Sequence, residues 1–351
     1  MHDALARRAL LWRRYGGLLL AAALATASMT ACVSEHDANA ERPVRIGYLN
    51  NITHVQALVS IAQDNLLGRV SELGEIEMRA FNVGPAAIDA MASGDLDAAY
   101  VGPTGALNAY YRTKGELIAI VAGAASGGAR LMVSAESGIS SPRDFSGRTI
   151  ATPGIGNTQD VSLRTWLTAQ GLKPREQGGT VSVRPIANPD IFQLMMRGRL
   201  DAAWVPEPWA TRLEAEAGAT TFLDERSLWP DGQFSSVTLA VSRNFLESQP
   251  EKARRLVEAH AKITSWVLSN RDAAIADANL GLERSLGKAL DPGVASTAFD
   301  HFTVTADPIT PSIAKMAGEM LELEYLPRGS NVDAVAALFE LGDLKATGVL
   351  A

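Results

Sequence analysis

Gly94-Asp95-Leu96-Asp97-Ala98-Ala99-Tyr100-Val101 returns 104 positions later as Gly198-Arg199-Leu200-Asp201-Ala202-Ala203-Trp204-Val205. The register holds outside this octet: Met91 matches Met195, Pro85 matches Pro189 and Ile46 matches Ile150 at the same offset. Matches sustained in one register mark a degenerate internal repeat, and each copy reads element by element. A first strand (44–49; 148–152) enters a polar, turn-rich loop and a helix, and a second strand follows (76–81; 181–186). A short helix then opens near Pro85 or Pro189, proline suiting the first helical turn. It closes at Gly94 or Gly198, where glycine accepts a left-handed conformation, and a third strand (97–101; 201–205) completes the unit. Strands alternating with helices predict parallel βαβ units. Two such units predict two similar α/β lobes.

Further strands are expected at 117–122 and 131–134, in the first lobe and its exit, and at 237–242. These are read as two crossings between lobes, a pair of hinge strands that permits closure by bending. Past residue 244, apolar residues at three- and four-residue spacing predict helices over 250–269, 309–324 and 332–341, packed back on the first lobe. The expected organisation is a signal segment at 1–31, a tether at 32–42, one lobe from 43–133 with 240–351, and a second from 134–239.

The amino terminus accounts for the single cysteine. Arg7, Arg8, Arg13 and Arg14 form a basic region, residues 18–24 are apolar, and small residues lead through Met29-Thr30-Ala31 to Cys32. This is the layout of a secretory signal, and its apolar run is well short of the ~20 residues a membrane-spanning helix needs. Met29-Thr30-Ala31-Cys32 resembles a bacterial lipobox, which implies a lipid on Cys32 and a location in the periplasm or on the outer face of the cytoplasmic membrane. Arg7-Arg8 also fits a weak twin-arginine signal. Without residues 1–31 the chain carries 28 basic and 38 acidic side chains, a net charge of −10. That balance argues against nucleic acid as a partner and requires any anion site to be local.

Open α/β sheets bind ligands beyond the carboxyl ends of their strands. Those ends carry Asn50-Asn51-Ile52-Thr53-His54, Gly102-Pro103-Thr104-Gly105 and Ser126-Gly127-Gly128 in the first lobe. In the second they carry Gly154-Ile155-Gly156-Asn157-Thr158-Gln159 and Pro206-Glu207-Pro208-Trp209. Asn51, Thr104 and Asn157 or Thr158 are good N-caps, so several helices are expected to start at one cleft. Their N–H groups and dipoles would receive sulfonate, nitrate, carboxylate or phosphoryl oxygens. Gly102, Gly127, Gly128 and Gly156 allow close backbone approach, and Trp209 with Trp204 offers an apolar wall.

Other readings stand beside these. His54 reads as a hydrogen-bonding histidine, because no residues at metal-ligand spacing accompany it. Trp166 and Trp266 lie on helical faces and read as core, and Arg164 either reaches an anion or pairs on the surface. Glu207 is awkward for an anion site and fits an amine or backbone groups. Gly154-Ile155-Gly156 lacks the third glycine of a dinucleotide loop. No nucleophile elbow, phosphate loop, zinc motif or other catalytic set is present, and no cofactor is expected.

Val44-Arg45-Ile46-Gly47-Tyr48, Gly94 to Asp97, Asp144-Phe145-Ser146-Gly147-Arg148, Gly154 to Gln159 and Glu207-Pro208-Trp209 resemble signature segments of the sulfonate, nitrate and taurine group of periplasmic binding proteins. That group includes thiamine-pyrimidine-related proteins. The resemblance spans the mature chain and implies a two-lobe type II periplasmic-binding fold, each lobe a mainly parallel sheet flanked by helices. It implies a monomeric binding protein, not an enzyme, that closes on a small anionic solute and delivers it to an ABC permease driven by an ATPase. Carried over by position, Asn50, Asn51, Gly102, Thr104, Ser126, Asn157, Thr158, Gln159, Glu207 and Trp209 line the cleft, with His54 and Gly127 beside them. Two departures leave the solute open: the 50–54 loop is unlike that of a simple alkanesulfonate binder, and no nitrate-type set of basic side chains is evident. Taurine or an alkanesulfonate comes first. Nitrate, an aromatic carboxylate or sulfonate, and a thiamine-pyrimidine precursor are the alternatives. An enzyme like the fungal thiamine-pyrimidine synthase, and a sensory lobe, are the readings from other classes.

Overall fold

The computed structural model describes residues 42–350; the signal segment, Cys32 and nearly all of the expected tether lie outside them. The described residues build two sheets. Strands β1 (Val44–Leu49), β2 (Ile76–Phe81), β3 (Ala98–Val101), β4 (Ile118–Gly127), β10 (Ser235–Ser242) and β11 (Phe302–Val304) form the first, in the order β11-β4-β10-β3-β1-β2. Strands β5 (Ala129–Val133), β6 (Thr149–Thr152), β7 (Ser182–Pro185), β8 (Ala202–Pro206) and β9 (Thr220–Asp224) form the second, in the order β7-β6-β8-β5-β9.

The internal repeat reappears as geometry. β1 lies parallel between β2 and β3, as β6 does between β7 and β8. Ile46 faces Ala98 and Gly47 faces Ala99; in the second sheet Ile150 faces Ala202 and Ala151 faces Ala203. The 104-residue offset is therefore preserved partner for partner. Each triplet then accepts an antiparallel strand, β10 beside β3 and β5 beside β8.

The repeated octet is a structural clasp. Asp97 Oδ2 accepts the Arg45 N–H at 2.9 Å while its other oxygen meets the Arg45 guanidinium at 3.2 Å. Asp201 does the same one lobe later, accepting from Thr149 N–H at 2.8 Å and Arg148 Nη1 at 3.2 Å. Each aspartate thus fixes where its first strand begins. Gly94 and Gly198 take φ of 78° and 62°, and Asp95 N–H and Arg199 N–H reach back to Ala90 and Leu194 carbonyls. That is the left-handed helix ending the sequence predicts.

Three expectations are corrected. β5 belongs to the second sheet, antiparallel to β8 and β9, and β10 lies wholly in the first, between β3 and β4. Strand propensity marks a segment as extended but does not choose its sheet; the pairing partners do. The crossings therefore fall at Gly127–Gly128 and in the segment 225–234 rather than within those strands. Residues 332–341 do not form an α-helix: Val332–Leu338 is 3-10, and the chain leaves it so that Phe339 bridges Ile120.

The six-stranded sheet is covered on both faces. Helices Val55–Ala62, Pro250–Ser269 and Arg271–Leu286 pack one side. Helices Gly84–Ala92, Pro103–Arg112 and Thr310–Glu322 pack the other. Trp166 packs edge-on to Phe145 in the second lobe's core, and Trp266 is half-buried against the first. Among the described residues no helix is long and apolar enough to cross a membrane.

Candidate ligand-binding cleft

Five helices aim their N-termini at one cavity between the sheets. Helix Val55–Ala62 contributes Asn51, Thr53 and His54 from its approach, helix Gly84–Ala92 contributes Val83 to Pro85, and helix Pro103–Arg112 contributes Gly102, Thr104 and Gly105. From the second lobe come Gly156 to Gln159 at the start of Thr158–Ala169, and Asn188 at the start of Asn188–Met196. The first N–H groups of a helix have no partner inside it, and aligned peptide dipoles leave that end partly positive. The cavity is about 60 Å³, room for roughly four or five water-sized groups.

Among the described residues that line it, no side chain carries a full charge. The remaining walls are Leu49, Asn82, Gly127, Gly128, Pro153, Pro206, Ser236 and Val237. His54 does not supply a cation either, because burial pushes its imidazole down to about 3, against the pull of the Tyr100 and Asn51 backbone. Its Nδ1 lies 3.3 Å from Thr53 Oγ1, and its Nε2 has no hydrogen-bond partner among the described residues. Asn188 Oδ1 is likewise buried and unpaired. Among the described residues no group of three or more His, Cys, Asp or Glu could hold a metal ion.

The lobes touch across this cavity. Thr104 Oγ1 is 3.3 Å from Thr158 Oγ1, and Trp209 Nε1 donates to Asn51 Oδ1 at 3.1 Å. A Cβ added to Gly102 would sit 2.7 Å from Thr158 Oγ1. The Gly154–Asn157 loop is shaped from beneath by Asp160, which accepts from Gly156 N–H at 3.0 Å, Thr152 Oγ1 at 3.2 Å and Arg164 Nε at 3.0 Å. Arg164 is thereby committed to Asp160 and Glu176 and does not point at a solute.

Asn51, His54, Gly102, Thr104, Gly127, Asn157, Thr158 and Gln159 are brought to the cavity wall. Four other expected residues are not. Asn50 is not on the wall, and its Oδ1 is buried with no hydrogen-bond partner among the described residues. Ser126 lies one residue before the end of β4, off the wall, and its Oγ accepts Phe234 N–H at 3.2 Å. Glu207 is fully buried in an ion pair with Arg130 (2.9 Å) and accepts Thr211 N–H at 3.1 Å. Trp209 stands one layer back, its indole beside Phe192 and below the Arg212 guanidinium. Trp204 is no wall at all, since it lies in the second lobe's core and donates to Glu225 at 2.7 Å. The capping reading also narrows: Asn157 caps Asp160 N–H at 2.9 Å, while Asn51 and Thr104 are not caps, those places being taken by His54 and Gly102. Asn82 and Asn188 line the wall beyond the expected residues; Asn188 sits one residue before Pro189, and that helix-opening proline is the available signal.

Known proteins resemble this chain in sequence and in fold. A putative binding protein of Brucella abortus (strain 2308) is 27% identical over 258 residues, covering 71% of this chain and 77% of the relative. The taurine-binding periplasmic protein of Escherichia coli is 28% identical over 197 residues, covering 56% of this chain and 59% of the relative. The solved ligand-binding component of an ABC-type import system from Staphylococcus aureus superposes with a TM-score of 0.68 at 17% identity, over 88% of this chain and 99% of that one. The fold is the two-lobe type II periplasmic-binding fold. The NMT1-like family matches residues 37–280, well over half of the sequence, and the chain belongs to that family.

Proposed function

We propose that this chain is the extracytoplasmic solute-binding component of an ABC importer. It captures a small organic anion, taurine or an alkanesulfonate, between closing lobes. The convergence of five helix N-termini on a cavity with no charged side chain carries this reading. Such a site offers backbone and hydroxyl donors to anionic oxygens, and a single negative charge suits it because no cation is present to balance a second. Thr104 and Thr158, from opposite lobes, meet where an anionic head group would be gripped by both. Asn188, with an unpaired Oδ1 on the wall, adds an acceptor for the ammonium end of a taurine-like solute.

The mature protein is held to the membrane by a lipid on Cys32, works as a monomer, and passes its solute to a permease with a cytoplasmic ATPase. The solute binders among its relatives support a carrier rather than an enzyme. A thermal-shift panel of sulfonates, nitrate, aromatic carboxylates, sulfate and a thiamine-pyrimidine precursor tests the assignment, since stabilisation grows with ligand concentration over dissociation constant. The largest shift is expected from taurine or an alkanesulfonate. A shift confined to the pyrimidine would replace the anion reading, and none from any probe would remove it.

A further inference from the structure

Tyr325 belongs to neither the cavity wall nor the core of the lobe it reaches into. It follows helix Thr310–Glu322 in the first lobe, with its N–H bonded to the Met320 carbonyl at 2.8 Å. Its carbonyl is held by Asn108 Nδ2 at 3.2 Å, from the middle of helix Pro103–Arg112. From this anchored position the phenol crosses to the second lobe and donates to Asp160 Oδ2 at 2.5 Å. That carboxylate oxygen also accepts Gly156 N–H, in the loop lining the cleft. Asp160 is 1% exposed, so in the touching arrangement this hydrogen bond to a charged group is sheltered from water.

We propose that Tyr325 is a positioning residue for lobe closure: its hydroxyl latches the first lobe to Asp160 and steadies the Gly154–Asn157 loop only when the lobes meet. This rests on the reading of the chain as a closing binding protein. When the lobes separate, Asp160 keeps Thr152, Gly156 and Arg164 but loses the phenol. The bond therefore contributes to the closed form alone, and a contact present in one of two states shifts their ratio. Because Tyr325 lies outside the cavity, it tunes retention of solute without choosing the solute.

The test is small-angle scattering of the purified protein without solute, on wild type, Tyr325→Phe, Asn108→Ala and Thr158→Arg, with a thermal melt of each. Tyr325→Phe is expected to lower the closed-to-open ratio by about tenfold, as for one hydrogen bond to charge, and to enlarge the radius of gyration with little change in melting temperature. Asn108→Ala, which frees the backbone holding Tyr325, should move it the same way by less. Should Tyr325→Phe fail to fold, Asn108→Ala decides alone. Thr158→Arg wedges the cleft itself and reports whether the lobes separate at all. Expansion with Thr158→Arg but unchanged scattering for both other variants overturns the latch while leaving closure standing. No expansion in any of the three, from a wild type whose scattering matches the touching arrangement, overturns closure and the latch with it.

Discussion

Trp209 and Asn51 lie 158 residues apart and belong to different lobes, yet the indole N–H of one meets the amide oxygen of the other at 3.1 Å. The aromatic ring lies in the second lobe beside Phe192, and its N–H reaches Asn51, which lines the cleft. Trp209→Phe keeps the ring and leaves Asn51 Oδ1 without its donor. The closed form should lose about 1 kcal/mol, read as a several-fold weaker solute affinity in a calorimetric titration with taurine. An unchanged affinity would show that the contact does not bias closure.

Arg130 and Glu207 form the buried pair under the Gly127–Gly128 crossing. Glu207 N–H donates to the Gly128 carbonyl at 2.8 Å, and Arg130 also reaches Thr211 and Thr221 at 2.9 and 2.8 Å. Removing one partner strands a desolvated charge. Arg130→Met should therefore cost about 3–5 kcal/mol in urea unfolding. A loss under about 1 kcal/mol would mean that Glu207 is stabilised without its partner.

Two buried groups give opposite pH dependences. Glu225, receiving Ser162 Oγ at 2.6 Å and Trp204 Nε1 at 2.7 Å, is pushed up to about 7 by burial. Its folded form holds a proton that the unfolded chain releases from its ordinary 4.5 upward, so its contribution falls as pH rises from about 4.5 to 7. Glu225→Gln should flatten that part of the stability curve. His260 behaves in reverse. Its Nε2–H donates to the Gly123 carbonyl at 2.7 Å, its Nδ1 accepts from Tyr100 at 3.0 Å, and burial lowers it to about 4. Below its ordinary 6.5 the unfolded chain takes up a proton that the folded one refuses. Its contribution therefore falls as pH drops from 6.5 to about 4. His260→Gln should reduce acid sensitivity in that window, checked by melts at stepped pH; identical slopes in wild type and both variants would contradict these assignments.

The repeat made the fold legible because its residues act locally. Asp97 and Asp201 hold the strand beside them, Gly94 and Gly198 end the helix just before them, and a single register records all four. The candidate site was legible where it follows the ends of strands, at Gly102, Thr104 and Asn157 to Gln159. It was not legible where a partner is distant. Nothing near Glu207 announces Arg130, and nothing near Trp209 announces Asn51, so a carboxylate and an indole beside the cleft both looked like ligand groups. The sheet of β5 was hidden for the same reason, since only its pairing with β8 and β9 assigns it.

The most direct measurement is a calorimetric titration of the thermal-shift panel's best anion into wild type and Gly102→Val. Gly102 has an ordinary φ of −65°, so valine should leave the first lobe folded. Its side chain enters the 2.7 Å approach to Thr158. One site per chain is expected in wild type, and an affinity loss of at least about tenfold, ~1.4 kcal/mol, in the variant. Equal affinity in both would place the solute outside this cleft.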